Sequence, residues 1–240
     1  MTESLTSVTS AAASPSGSAQ RLAIFDLDHT LLPIDSDFEW GQFLCRIGAV
    51  DKASFEKRNQ DFYAQYQAAS LDPREYLEFA LGTLAQFSNE QLSHWHAQFM
   101  RDVITPAILP AALDLLAKHK DDLVLIITAT NRFVTAPIAT ALGVKHLIAA
   151  EPEISTDGRI TGKLRGIPTS GVGKVTHLTA WLAQQNKTLA SFDSSHFYSD
   201  SHNDLPLLEL VTHPVATNPN AQLTAHAQKH GWSILKIFND

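Results

Sequence analysis

The sequence has only one cysteine, Cys45, among its 240 residues. A single thiol cannot form a disulfide within the chain or a zinc site that needs several cysteines. Its apolar neighbours Phe43, Leu44 and Ile47 favour a small buried side chain over a reactive thiol. Long hydrophobic runs are lacking as well, since runs such as residues 123–127 are too short to span a bilayer. The sequence therefore predicts no disulfide and no membrane partner.

Positive charge is also scarce, because 18 Lys and Arg residues face 25 Asp and Glu residues, for a net charge of −7 with neutral His. Nucleic-acid binding proteins usually carry a basic patch, and no Lys/Arg-rich run is present here. We therefore expect no nucleic-acid partner. Hydrophobic residues make up 44% of the chain and charged residues 18%, which is typical of a soluble globular protein and excludes wholesale disorder.

Residues 1–20 differ in composition from the rest of the chain, being rich in Ser, Ala and Thr. They lack both the basic start and the apolar stretch of a secretory signal. We expect this segment to be a disordered tail, and we expect the protein to be cytoplasmic.

Short apolar runs that end in polar residues predict the strands of a sheet. The clearest are residues 21–26, Arg-Leu-Ala-Ile-Phe-Asp, and residues 123–128, Leu-Val-Leu-Ile-Ile-Thr. Weaker candidates are residues 146–150, 196–199, 213–217 and 233–237. Helical stretches such as 137–142 and 175–184 separate these runs. Strands that alternate with helices predict an α/β protein with a Rossmann-like parallel sheet covered on both faces.

The segment between the first two strong strands has helical spacing and no strand pattern. Asp72 followed by proline predicts a helix start, and Ser88 with Gln91 forms a capping-box pattern. The aromatic residues here recur at helical intervals, which is typical of the core of a small bundle. We interpret the segment as an all-helical cap over an active site.

The remaining organisation includes a small β-hairpin, predicted by the Asp157-Gly158 pair between β-favouring residues. The predicted boundaries are a tail at 1–20, a core at 21–35 and 106–240, and a cap at 36–105.

The chemistry-bearing residues cluster where strands end. Asp26-Leu-Asp28-His-Thr30 follows the first strand. The carboxyl edge of a parallel sheet is where such folds bind ligands, so both carboxylates are expected in one crevice. A lone aspartate after a strand is usually a turn residue or a helix cap, and only the joint occurrence with similar strand ends elsewhere favours a site.

Three further strand ends or helix starts complete that pattern. Thr128-Ala129 ends the second strong strand, Lys174 opens a helix after a glycine-rich turn, and Asp200 and Asp204 follow the run at 196–199. Carboxylates from different strands suit a hard divalent cation such as Mg²⁺. A hydroxyl and a lysine suit a phosphate group, and one carboxylate can act as a nucleophile.

These four motifs, in this order, resemble those of the haloacid dehalogenase superfamily, and within it the phosphoserine-phosphatase-like subfamily IB hydrolases. The resemblance runs from Leu22 to the end of the chain. It implies a Rossmann-like core with a helical cap inserted after the first motif. It also implies a Mg²⁺-dependent phosphatase that hydrolyses a small phosphorylated metabolite through an aspartyl-phosphate.

The resemblance assigns a role to each motif residue. Asp26 is the nucleophile, and Asp28 is the general acid and then the general base. Thr128 and Lys174 hold the phosphoryl oxygens. The implied metal residues are Asp26, Asp28 through its backbone carbonyl, Asp200 and Asp204. The expected substrate-binding residues are Thr30, Asp35, Thr128, Ala129, Lys174 and Asn203.

The sequence departs from the family pattern at the residues that select the substrate. Relatives carry Glu nine residues after the nucleophile to hold the amine of phosphoserine, and this chain has Asp35 there. The family's cap arginine corresponds to Arg58 or Arg74, both more typical of surface residues. A phosphoserine-like or histidinol-phosphate-like substrate is expected, with Asp35 pairing with the amine.

Two other functions fit the same residues. A phosphotransferase or mutase would pass the phosphoryl group to a sugar instead of water. A low-turnover, phosphate-binding regulatory protein would also use clustered aspartates, a threonine and a lysine around Mg²⁺. The sequence is compatible with either a monomer or a homodimer.

Overall fold

A six-stranded, fully parallel sheet forms the centre of the protein in the computed structural model, which describes residues 20–67 and 70–238. The strands in chain order are β1 (Arg21–Phe25), β2 (Leu123–Asn131), β3 (His146–Ala150), β4 (Pro152–Ile154), β5 (Ile160–Leu164), β6 (Ser194–Ser199), β7 (His213–Thr217) and β8 (Ser233–Leu235). The order across the sheet is β3-β2-β1-β6-β7-β8, and β4 pairs with β5 separately. The predicted parallel α/β architecture is confirmed.

Helices surround this sheet. In chain order they are α1 (Ser36–Arg46), α2 (Lys52–Gln67), α3 (Pro73–Leu84), α4 (Asn89–Phe99), a π-helical segment (Met100–Ile104), α5 (Thr105–Ala107), α6 (Pro110–Ala117), α7 (Arg132–Ala141), α8 (Val172–Ala183), α9 (Leu205–Leu208) and α10 (Ala221–His230), with short 3₁₀ turns at Leu189–Ser191 and His202–Asp204. Between β1 and β2 the described chain is helical, as predicted. None of the helices in the described ranges is long and apolar enough to cross a membrane.

Local capping explains where two of the inserted helices begin. Asp72 accepts a hydrogen bond from the backbone N–H of Arg74 and is followed by proline at the first helical position. Ser88 and Gln91 form the predicted capping box at the start of α4. Each contact satisfies a backbone donor that the helix itself leaves unpaired.

Several element boundaries differ from the sequence-based prediction. Strand β2 continues to Asn131 instead of ending at Thr128, and β8 ends at Leu235. Helix α7 begins at Arg132, because the Asn131 side chain caps it by accepting from the Val134 N–H at 3.2 Å. The prediction was wrong to begin this helix at Pro137, which lies inside it.

The two faces of the sheet bury separate apolar clusters. Leu22 and Ile24 on β1 pack with the helices of one face, including α8, α9 and α10. Ala23 and Phe25 alternate with them and belong to a cluster that continues into α1, α3 and α4. Alternation is the expected consequence of the strand's two-residue period. The inserted helices therefore share one continuous core with the sheet.

The predicted hairpin is present as the antiparallel pair β4–β5. Of the Asp157-Gly158 pair, only Gly158 has positive φ, and its N–H donates to the Ser155 carbonyl oxygen at 2.9 Å. The hairpin packs on α3: at Gly162, φ +88°, an added Cβ would lie 3.2 Å from the Cα of Gly82. Absence of a side chain at both glycines thus permits this close approach.

The predicted tail at 1–20 lies outside the described residues except for its last member, Gln20. The Gln20 side chain accepts from Lys187 Nζ at 2.6 Å, and its backbone carbonyl accepts from the Asp193 N–H. Gln20 therefore contacts the folded core, which corrects the prediction that assigned this residue to the tail.

We predict that Gly162→Ala destabilises the protein more than Gly166→Ala, measured as free energy of unfolding by chemical denaturation. Both glycines have φ near +87°, so both variants incur about 1–2 kcal/mol of backbone strain. Only Gly162 faces a tightly packed neighbour, which adds about 1–3 kcal/mol. Equal losses in the two variants would show that the hairpin does not depend on this contact.

Candidate active site

The predicted motifs meet around the ammonium group of Lys174. Its Nζ donates to Asp26 Oδ1 at 2.8 Å and to Asp204 Oδ2 at 2.7 Å. All three side chains are buried. Asp26 directly follows β1, Lys174 lies in the first turn of α8, and Asp204 ends the 3₁₀ turn after β6. Three separate segments of the chain are therefore joined by one buried cation.

The glycine-rich turn before α8 brings Lys174 to this position. Gly171 has φ +52°, a conformation that favours glycine. A Cβ on Gly173 would lie 2.0 Å from the carbonyl oxygen of Pro168, so no side chain fits there. The turn folds tightly against the preceding loop and starts the helix with its lysine directed at the strand end.

Asp200 lies on the other side of the same crevice. Its Oδ1 accepts from the Thr30 hydroxyl at 3.4 Å, and its backbone N–H donates to that hydroxyl oxygen at 3.1 Å. The Ser199 hydroxyl donates to Asp204 Oδ2 at 2.7 Å. Thr30 is fully buried. The sequence predicts that it binds substrate, whereas in the structure its hydroxyl joins the first motif to the fourth through Asp200.

Asp28 has different partners from Asp26. Its Oδ1 accepts from the backbone N–H of Ser36 at 2.7 Å, and its Oδ2 accepts from the Thr130 hydroxyl at 2.8 Å. Thr128 is buried, and its hydroxyl oxygen accepts from the Thr130 N–H at 3.1 Å. The first helix of the insertion and the end of β2 thus fix the second carboxylate.

Burial makes these carboxyl groups weaker acids than usual. It raises the pKa of Asp26 to about 7, with Lys174 opposing and the charge of Asp204 adding to the shift. Burial also raises the pKa of Asp28 to about 6, and that of Asp200 well above its usual value. For Lys174, burial disfavours the charged form, but the carboxylates of Asp204 and Asp26 outweigh burial and raise its pKa.

The donor set fits a divalent cation by chemistry and charge. The charge of Asp204 adds to burial in raising the pKa of Asp26, and the charges of Asp26 and Asp204 do the same for Asp200, so the three carboxyl groups lie close together. The ammonium group of Lys174 contacts two of them. Carboxylate oxygens are the ligands that Mg²⁺ prefers. Within residues 20–67 and 70–238, no group of three or more Asp, Glu, His or Cys side chains has the arrangement of a complete metal site. In this structure the Lys174 ammonium group bridges Asp26 and Asp204.

Three of the expected substrate-binding residues lie apart from this cluster of contacts. Asp35 is half-buried and caps α1, its Oδ1 accepting from the backbone N–H groups of Asp37 at 3.0 Å and Phe38 at 2.9 Å. Ala129 and Asn203 are exposed, the first near the end of β2 and the second in the 3₁₀ turn after β6.

The two candidate cap arginines are exposed and paired with other groups. Arg58 donates to Glu75 at 2.6 Å. Arg74 interacts with Glu78 at 3.5 Å and donates to the carbonyl oxygen of Gly166 at 2.6 Å. These contacts lie on the surface of the inserted helices and of the loop after β5, as expected for surface residues.

Sequence reasoning did not single out several residues that organise the site. Thr130 and Ser199 each lie next to a motif residue and donate to Asp28 and Asp204. Asn218, with φ +47°, donates from Nδ2 to the carbonyl oxygen of His29 at 2.9 Å. Thr130 and Ser199 were recognisable as hydroxyl residues at strand ends. The Asn218 contact spans 189 residues and has no local signal.

Comparison with known proteins gives consistent results. A family model described as haloacid dehalogenase-like hydrolase matches residues 23–209. A histidinol-phosphatase of Neisseria meningitidis serogroup C (strain 8013) is 44% identical over 220 residues, covering 91% of this chain and 99% of that protein.

Solved structures share the architecture. A protein of unknown function from Bordetella pertussis Tohama I is 48% identical and superimposes with a TM-score of 0.88, covering 92% of this chain and 100% of that one. A substrate-bound phosphoserine phosphatase is 15% identical with a TM-score of 0.65, covering 93% of this chain and 96% of that one, which shows the shared fold alone. With the family model spanning most of the sheet and the whole insertion, the chain belongs to the haloacid dehalogenase-like hydrolases.

Proposed function

We propose that this hydrolase is a phosphomonoesterase that works through an aspartyl-phosphate. The observation that carries the proposal is the different environment of two neighbouring carboxylates. Asp26 is bonded to the cation of Lys174, which favours the anionic form of a nucleophile. Asp28 is bonded to a hydroxyl and a backbone N–H, with a pKa raised to about 6 by burial, which suits a group that gives up and takes back a proton near neutral pH.

In the first step, a carboxylate oxygen of Asp26 attacks phosphorus and forms the acyl phosphate bond. The bond from phosphorus to the leaving oxygen breaks, and Asp28 gives its proton to that oxygen. Lys174 offsets the charge that the transferred group brings to Asp26, since its ammonium already contacts this carboxylate. Thr128 is buried at the end of β2 and is proposed to donate to a phosphoryl oxygen.

In the second step, water attacks the phosphorus of the aspartyl-phosphate. Asp28, now ionised, takes a proton from the water, and the bond between phosphorus and Asp26 breaks to release inorganic phosphate. The two steps return both carboxyl groups to their starting protonation states. One residue serves as acid and then as base because its pKa lies close to the working pH.

The resident cation is proposed to be Mg²⁺, held by Asp26, the backbone carbonyl of Asp28 and Asp200, with Asp204 supporting the site. When bound, such a cation neutralises negative charge on the transferred phosphoryl group. Support for this assignment comes from the excess of carboxylates over the single cation Lys174 in the crevice.

The inserted helices are proposed to act as the substrate-selecting cap. We keep the boundaries of 36–105 for the cap, and of 21–35 and 106–240 for the core. Support comes from the hydrogen bond of Asp28 with the first residue of α1, which places the insertion directly beside the leaving-group acid. As the family resemblance implies, Asp35, Ala129 and Asn203 are proposed to contact the alcohol part of the substrate.

The proposed substrate is a small phosphorylated metabolite, with a histidinol-phosphate-like ester favoured over phosphoserine. The relative at 44% identity is named a histidinol-phosphatase, whereas a relative from Mycobacterium tuberculosis that is named a phosphoserine phosphatase shares 30% identity over 217 residues. The cytoplasmic location, the monomeric or homodimeric state and the lack of a nucleic-acid partner stay predictions.

Transfer to a sugar and low-turnover regulation are the rival functions. With a non-phosphorylated sugar present, the phosphatase releases inorganic phosphate and alcohol in equal amounts. A phosphotransferase or mutase produces a new phosphate ester instead. A regulatory protein keeps the aspartyl-phosphate without turnover.

We predict opposite signatures for Asp26→Asn and Asp28→Asn with 4-nitrophenyl phosphate. Asp26→Asn lowers kcat by more than about 10³-fold, since the nucleophile is lost. Asp28→Asn still forms the aspartyl-phosphate, because 4-nitrophenolate leaves without a proton, but hydrolysis of that intermediate lacks its base. Rapid mixing then records a burst of about one nitrophenolate per chain, followed by slow release. Unchanged hydrolysis by the folded Asp26→Asn variant contradicts the proposal.

We predict that Mg²⁺ stabilises the parent protein and that this effect shrinks in Asp200→Asn. A ligand that binds only the folded protein adds about 2.7 kcal/mol of stability at 100 times its dissociation constant. We expect Mg²⁺ to bind the folded protein because it would relieve repulsion among the buried carboxylates. The measurement is the difference in Tm between Mg²⁺ and a chelator. Asp61→Asn, which changes an exposed carboxylate on α2, is the matched control. Equal Mg²⁺ shifts in parent and Asp200→Asn would exclude Asp200 as a ligand.

A further inference from the structure

A small cavity lies between α1, α2 and α3, beside the end of β2. Asp37 and Trp40 from α1, Asn59 from α2, Tyr76 from α3 and Asn131 from β2 contribute to its lining. The space inside is about 20 Å³, which is room for roughly one water-sized group. The cavity therefore suits the end of a ligand and not a whole metabolite.

Asp37 is the charged residue of this cavity. Its side chain is 7% exposed, and its Oδ1 accepts from Asn131 Nδ2 at 3.1 Å. Its Oδ2 is buried and has no partner of full hydrogen-bond geometry within the described part of the chain, although the Tyr76 hydroxyl lies close enough to oppose the rise of the Asp37 pKa by hydrogen bonding. Neither lysine nor arginine lines the cavity. A buried carboxylate without a cation is costly, and burial, followed by the charge of Asp35, raises the pKa of Asp37 to about 7.

Two further polar groups of the lining are unsatisfied. Trp40 Nε1 and Asn59 Nδ2 are buried and lack partners among residues 20–67 and 70–238. The Tyr76 hydroxyl lies beside Asp37, whose charge helps to raise the pKa of the tyrosine after burial itself. Natural proteins pair nearly all buried polar atoms. Such a concentration of unpaired atoms in one cavity indicates a place for a polar ligand group.

The cavity is linked to the leaving-group acid along two short routes. Ser36 donates its backbone N–H to Asp28 Oδ1 at 2.7 Å and directly precedes Asp37. Thr130 donates its hydroxyl to Asp28 Oδ2 at 2.8 Å and directly precedes Asn131. Asp37 and Asn131 then bond to each other. The cavity thus lies one residue beyond the groups that hold Asp28, on the side of the inserted helices.

We propose that this cavity is a subsite for a protonated amine on the leaving alcohol, and that Asp37 is its acceptor. The inference rests on the proposed phosphatase function and on its amine-bearing substrate, and what it adds is the residue that selects the amine, Asp37 in place of Asp35. An ammonium group has three N–H donors and no acceptor. Asp37 Oδ2, the Tyr76 oxygen and the Asn59 side chain, once its amide turns to present oxygen, supply three acceptors.

The remaining lining agrees with a cationic occupant. The aromatic rings of Phe55 and Phe79 join those of Trp40 and Tyr76 around the cavity, and aromatic faces attract ammonium groups. A single ammonium group, which is about the size of a water molecule, also matches the room available. Trp40 Nε1 is the one donor that an ammonium leaves unpaired.

Asp35, the residue expected from the sequence to hold the amine, is engaged elsewhere. Its carboxylate caps α1 through the N–H groups of Asp37 and Phe38. Both capping bonds use Oδ1 and fix the orientation of this carboxylate, so an amine could reach only Oδ2 of Asp35 without uncapping the helix, which costs about 1 kcal/mol. Asp37 differs because its Oδ2 is buried, and a cation there would offset a buried charge that no lysine or arginine of the lining balances.

The test compares the parent, Asp37→Asn and Asp35→Asn on three esters: histidinol phosphate, phosphoserine and 4-nitrophenyl phosphate, which has no amine. The readout is the ratio of kcat/KM for the better amine ester to kcat/KM for the aryl ester. We expect Asp37→Asn to lower this ratio about 10- to 100-fold, the value of one hydrogen bond to a charged group. Asp35→Asn keeps the helix cap and lowers the ratio less. Glu39→Gln, which removes a nearby carboxylate of α1 that does not line the cavity, leaves it unchanged.

A merely structural role for Asp37 would lower kcat/KM for all esters alike, and that outcome overturns the proposal. An unchanged ratio overturns it too, leaving a cavity that holds only water, and a selective loss in Asp35→Asn alone assigns the amine to Asp35. Failure of the proposed phosphatase function gives a different result, because the parent protein itself would then not hydrolyse the aryl ester. Thermal shift with the free amino alcohol histidinol then decides: stabilisation of the parent but not of Asp37→Asn supports the subsite, and equal shifts overturn it.

Discussion

The active site depends on one buried cation held between two carboxylates. Lys174 joins the end of β1 to the loop after β6 through Asp26 and Asp204. Removing one partner of such a buried ion pair leaves an uncompensated charge, which typically lowers the free energy of unfolding by about 3–5 kcal/mol. The glycines before α8 and the Ser199 hydroxyl on Asp204 serve this arrangement. The same contact therefore holds the sheet edge together and pairs a cation with the carboxylate that we propose as the nucleophile.

Two carboxylates only two residues apart acquire different roles because the chain gives them different neighbours. Asp26 contacts a cation, whereas Asp28 contacts a backbone N–H and a hydroxyl. Burial raises both pKa values, to about 7 and about 6. These two pKa values are close and do not by themselves separate the roles. The hydrogen-bond partners do, because the Lys174 cation pairs with the anionic form of Asp26, whereas Asp28 has only neutral donors and can exchange a proton near neutral pH. This division follows from which strand end and which helix reach each side chain.

The parts of this arrangement that could be predicted from sequence are those with strong local signals. The apolar run ending at Asp26 and the glycine turn before Lys174 predict a strand and a helix start, and parallel topology brings their ends together. The cavity at Asp37 could not be predicted, because its meaning depends on Asn131, 94 residues away. Likewise, the helical stretch at 137–142 can be recognised locally, but the cap at Asn131 determines where α7 begins.

In the proposed function, the first turn of α1 links substrate selection to catalysis. Ser36 binds Asp28 through its backbone, while Asp35 caps the helix and Asp37 faces the cavity under α2 and α3. These three residues are consecutive, so displacement of one shifts the others. A ligand group that draws Asp37 into one position also fixes the N–H that holds Asp28. Occupation of the cavity would thereby orient the acid that protonates the same leaving group, and recognition of the alcohol would contribute to its release.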